Sequence, residues 1–90
     1  MKPIETITVR RVKYVVERVR RSESDLFPIR FMLHRPGGRP YWVVPSRERP
    51  DRLVAICSIT SFGPYRHPPF PGTWFAEGDD GELVIAPADA

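Results

Sequence analysis

Thr6 to Arg21 reads T-I-T-V-R-R-V-K-Y-V-V-E-R-V-R-R, without a single Gly or Pro. How this stretch folds decides the class of the domain. Wound as a helix, at about 100° per residue, Thr8, Val9, Val12, Val15, Val16 and Val19 share one arc of about 120°. Every charged residue falls outside that arc. Laid out as a strand, the alternation fails at the adjacent Val15 and Val16, and again at Val19 after Arg18. β-branching pulls the other way, because Ile7, Thr8 and the five valines favour strands. Periodicity set above propensity predicts an amphipathic helix over 6–21. Arg20 and Arg21 would then sit at the negative end of its dipole. The alternative is a long strand with a bulge, which would make the domain all-β.

Downstream, Ser22 to Asp25 is a polar break, and Ile29 to Pro45 carries a hairpin signal. Two apolar runs there flank Pro36-Gly37-Gly38. A two-residue turn at Gly37-Gly38, both at positive φ, sets Leu33 opposite Trp42 and Phe31 opposite Val44. The uncharged set Ile29, Phe31, Leu33, Trp42 and Val44 then faces the core. Ser46 to Arg52 is a charged turn, and Leu53 to Ile59 is short, apolar and β-branched enough for a buried strand. Ser61 to Gly72 is a loop rich in Pro, Gly and aromatics. Thr73 to Glu77 and Glu82 to Ala86 form a second hairpin around Gly78-Asp79-Asp80-Gly81, with either Asp79-Asp80 or Asp80-Gly81 at its tip.

The expected architecture is therefore α+β: one N-terminal amphipathic helix packed on an antiparallel sheet of hairpins. Ninety residues form a single domain, 1–90, able to bury roughly 60% of the unfolded surface. The expected core is Val9, Val12, Val16, Val19, Ile29, Phe31, Leu33, Trp42, Val44, Val54, Ile56, Trp74 and Val84. No apolar run is long enough for a membrane helix, and Met1 to Glu5 has no apolar signal core. The lone Cys57 permits no internal disulfide, so a cytoplasmic location is the default.

Charge is unevenly spread. Residues 1–52 hold 13 Lys/Arg against 6 Asp/Glu, while residues 53–90 hold 1 against 5. Of the 14 basic residues 12 are arginine, whose planar fork suits phosphate and whose face stacks on aromatics. Nucleic acid or an acidic protein are the partners that such a basic half suggests.

Catalytic chemistry finds no foothold. Cys57 sits in the most apolar run and reads as an inert core thiol. His34 reads as a cross-strand partner of Tyr41. No paired Cys or His spacing indicates a metal, no phosphate loop is present, and Asp79, Asp80 and Glu82 lack the calcium-loop pattern. A non-enzymatic binding protein without cofactor or metal is expected. Opposite the valine stripe of the proposed helix lie Arg10, Arg11, Tyr14, Arg18 and Arg21, a basic face with one aromatic suited to nucleic acid. The rival reading is a protein-interaction module or inhibitor using Tyr65, Phe70 and Phe75 in and beside the loop 62–75.

Overall fold

The computed structural model describes residues 4–19, 28–57 and 69–87. It contains seven strands and, among the described residues, no helix. They are β1 (Thr6–Val9), β2 (Val12–Arg18), β3 (Phe31–His34), β4 (Tyr41–Pro45), β5 (Leu53–Ile56), β6 (Phe75–Glu77) and β7 (Leu83–Ile85). Each pairs antiparallel with the next, giving one seven-stranded meander in the order β1 to β7. The sheet curls into a nearly closed barrel. The domain is therefore all-β, which corrects the α+β expectation, and 6–21 is neither the expected helix nor the single long strand of the alternative.

The predicted helix over 6–21 is instead a β-hairpin. Val9 pairs with Val12, so only Arg10 and Arg11 form the turn. Both have positive φ, 49° and 70°. Two left-handed residues make the primed turn whose twist matches a two-residue hairpin. Arginine carries no sequence signal for that conformation, which costs an L-residue about 1 kcal/mol or more. Once the chain reverses there, the middle of β2 alternates. Tyr14 and Val16 turn inward, while Lys13, Val15 and Glu17 turn outward and are exposed. The valine stripe is split: Val9 is buried, whereas Val12 and Val15 are 47% and 44% exposed.

The β3–β4 hairpin forms, one residue out of the expected register. Leu33 pairs with Tyr41, Met32 with Trp42 and Phe31 with Val43. An odd loop is needed for this pairing, and of the two glycines only Gly37 has positive φ, 69°. The slip exchanges the faces of β4. Tyr41 and Val43 point to the core in place of Trp42 and Val44. Trp42 is only half-buried, beside Met32 on the outer face. Val44 is nonetheless fully buried, on that outer face with Ile56.

The core cluster is Val9, Tyr14, Phe31, Leu33, Val43, Ala55, Phe70, Phe75 and Leu83. Alternation places one residue in two from each strand inside. Phe70 comes from outside the strands. It opens a β-turn, Phe70-Pro71-Gly72-Thr73, closed by the Thr73 N–H donating to the Phe70 carbonyl at 3.0 Å. Proline in second place and Gly72 at φ 79° in third are what a type II turn requires. The β6–β7 turn is centred on Asp79-Asp80, with Gly81 at φ 80° donating to the Gly78 carbonyl. Cys57 is exposed, which corrects its expected burial.

Two outcomes test this architecture. Arg11→Gly should raise stability by about 0.5–1 kcal/mol in chemical denaturation, because it relieves the left-handed arginine. Phe75→Ala, which empties a fully buried site, should cost about 3–5 kcal/mol, while Trp42→Ala leaves the domain folded.

Candidate nucleic-acid interface

In a meander, alternate turns lie at the same end of the sheet. The β1–β2 turn (Arg10, Arg11) and the β3–β4 turn (Arg35 to Arg39) therefore share one end, two strand spacings or about 10 Å apart. Together with Lys13 they bring Arg10, Arg11, Arg35 and Arg39 together, and neither turn contains a carboxylate. Apart from Glu17, whose carboxylate reaches His34 beside Arg35, the described Asp and Glu lie toward the opposite end. Glu5 is at the far end of the first hairpin, Glu48 and Asp51 in the β4–β5 turn, and Glu77, Asp79, Asp80 and Glu82 in the β6–β7 hairpin. That opposite end is mixed and not purely acidic, because Arg18, Arg30, Arg47, Arg49 and Arg52 lie there beside the carboxylates; what marks the first end is that its two turns carry arginines without acids.

Beneath the basic end lies an aromatic cluster. Tyr14 and Tyr41 have ring centroids 5.9 Å apart, and Phe70 stands edge-on to both at 5.8 and 5.4 Å. Such tilted and edge-to-face pairs exceed their area burial by about 0.5–1.5 kcal/mol each. Two arginines are fixed against these rings. Arg35 lies 4.5 Å over Tyr41, and its Nη1 donates to the Tyr41 hydroxyl at 2.6 Å. Arg10 lies 6.0 Å over Phe70, and its Nη2 donates to the Pro71 carbonyl at 2.6 Å. The Arg35 side chain runs across Gly38, where an added Cβ would stand 2.3 Å from its Nε. Gly38 thus gives room to the Arg35 side chain and does not have a positive φ. Arg11, Lys13 and Arg39 are exposed.

The five residues expected on one helical face are distributed by the strand. Arg10, Arg11 and Tyr14 meet at the basic end. Tyr14 is buried at 5% exposure, so its ring is floor and not contact surface. Burial pushes its phenol above the usual value, with Tyr41 adding to the shift and Arg35 opposing it. Arg18 is at the other end of β2, about 20 Å from the turn. There it lies 5.6 Å over Phe31 and donates to the Gly81 carbonyl, tying β2 to the β6–β7 turn. Arg21 lies outside the described residues. Sequence reasoning missed Arg35 and Arg39, although both flank the recognised Pro-Gly-Gly turn.

The rival surface is placed differently as well. Phe70 and Phe75 are core residues, and Tyr65 lies outside the described residues. His34 pairs not with Tyr41 but with Glu17, Nε2 to Oε1 at 2.9 Å, on the outer face. Glu82 accepts from the Asp80 N–H at 3.0 Å, so its carboxylate serves the turn. Among the described residues no three His, Cys, Asp or Glu converge on a metal-sized site. No helix there is long and apolar enough to cross a membrane. No protein-family model matches the chain, and neither the curated proteins nor the solved structures yield a match.

The tyrosine shift has a consequence for stability. A phenol whose folded pKa is raised keeps its contribution below the ordinary value of 10.0 and loses it as pH rises through the folded value. Denaturation midpoints should therefore fall above pH 10, and Tyr14→Phe should remove part of that fall relative to the parent chain.

Proposed function

We propose that the protein is a non-enzymatic, cytoplasmic nucleic-acid-binding module, and that the basic end of the barrel is its contact surface. The observation that carries this reading is the segregation of charge. Four arginines and Lys13 crowd one end with no carboxylate between them. Crowding five cations costs self-repulsion that a polyanion relieves on binding. Two of the arginines are already immobilised on rings and carbonyls, so less side-chain freedom is lost on contact. Arg11, Lys13 and Arg39 project beyond them to meet phosphate. A merely solvated surface has no need to keep both turns free of carboxylates.

Binding of this kind weakens linearly in log–log form with salt, by about 0.9 per phosphate on duplex and about 0.7 on a single strand. Arg11→Ala with Arg39→Ala should lower that slope by about 1.4 to 1.8 and leave the thermal midpoint nearly unchanged. Asp79→Asn with Asp80→Asn, at the other end, should leave the slope as it was. Fluorescence anisotropy of labelled oligonucleotides over a salt series measures both. An absence of binding even at low salt, where the electrostatic attraction is greatest, removes the proposal.

A further inference from the structure

Trp74 stands between two contiguous clefts. The first, of about 350 Å³, is lined by Ser46, Arg47, Glu48, Val54, Phe70, Pro71, Gly72, Thr73 and Trp74. On the other side Trp74, Gly72 and Thr73 join Arg49, Ile85, Ala86 and Pro87 around a second cleft of about 380 Å³. Arg49 lies 5.7 Å over the Trp74 ring and lines the second cleft but not the first. The ring is therefore a wall with a guanidinium on one flank and a largely apolar space on the other. The type II turn Phe70–Thr73 holds this arrangement. It buries Phe70 at one corner and leaves Gly72, with open space around it, at the lip of both clefts.

Pro71 connects this place to the basic end. It lines the first cleft, and its carbonyl accepts the hydrogen bond from Arg10. A chain of phosphates over Arg10 and Arg11 would arrive at the lip of the first cleft. Arg47 and Glu48 on the wall of that cleft offset each other in charge, and the apolar Val54, Phe70 and Pro71 beside Trp74 suit the flat face of a base better than a phosphate. A paired base cannot reach such a wall, because its faces are covered by its neighbours in the duplex.

We infer that the first cleft takes an unpaired nucleobase stacked on Trp74, which makes the protein a binder of single-stranded rather than duplex nucleic acid. This rests on the proposed function and assigns it a substrate class. Stacking on an aromatic side chain tolerates any base, since every base has a π-face. Selection is therefore for single-strandedness and not for sequence.

The test uses two oligonucleotides of the same mixed sequence, about ten nucleotides of single strand and its duplex, within the span of one small barrel. The chain has 2 tryptophans, so Trp42→Phe leaves Trp74 as the sole indole emitter. In that background the single strand should quench the indole fluorescence on binding, and the duplex should not. Trp74→Ala should weaken single-strand binding about 5- to 150-fold with no change in salt slope, and Trp74→Phe should restore most of it. Duplex affinity should not change in either variant. The quenching measurement stands even if Trp74→Ala fails to fold. Single-strand binding without quenching, or with equal affinity for duplex, overturns the inference and leaves the basic end as the site. Failure of both oligonucleotides to bind at low salt overturns the proposed function together with it.

Discussion

The rings of Tyr14, Tyr41, Phe70 and Phe75 meet inside the barrel, and the rest of the structure depends on that meeting. A meander has two edge strands, and here β1 and β7 do not pair with each other. Closure comes instead from side chains that cross the interior. Phe70, carried by a turn outside the strands, touches rings from β2, β4 and β6. Arg10 and Arg18 then tie the two ends of β2 to carbonyls more than sixty residues away. Aromatic contact pulls the sheet round, and two arginine clasps hold it near closure.

The same contacts give the candidate site its stiffness. Arg35 and Arg10 are positioned by the rings that close the barrel, so the basic end is built on the core and not on a free loop. Its polarity follows from topology. An up-and-down order sends alternate turns to opposite ends, and the sequence puts its acid-free turns first and third. Residues distant in sequence, such as Arg11 and Arg39, thereby become neighbours of one surface.

Much of the sheet was legible in the sequence. The second hairpin, the strand after Leu53 and the turn at Pro36-Gly37-Gly38 all announce themselves through β-branched runs and glycine. The first hairpin did not. Its turn is made by two arginines in a conformation that sequence rules reserve for Gly, Asn and Asp. With no break visible, the valines of two strands merged into one helical stripe. Tyr14 was the decisive residue, because an aromatic flanked by charges looked like surface and is core. The register of β3 and β4 was lost for a related reason. Two glycines suggested a two-residue turn, while only Gly37 is left-handed and Gly38 makes room for Arg35. Half of the candidate site was readable as composition, in Arg10 and Arg11. The other half, Arg35 and Arg39, required knowing that the chain meanders.

The central claim is that one end of this barrel binds nucleic acid and the other does not. Backbone amide shifts followed by NMR during titration with a short oligonucleotide address it residue by residue. Perturbations should concentrate at Arg10 to Lys13 and Arg35 to Arg39 and continue into Phe70 to Trp74 at the cleft, with Asp79 to Glu82 unmoved. Perturbations centred on the β6–β7 turn, or spread evenly over the sheet, would contradict it.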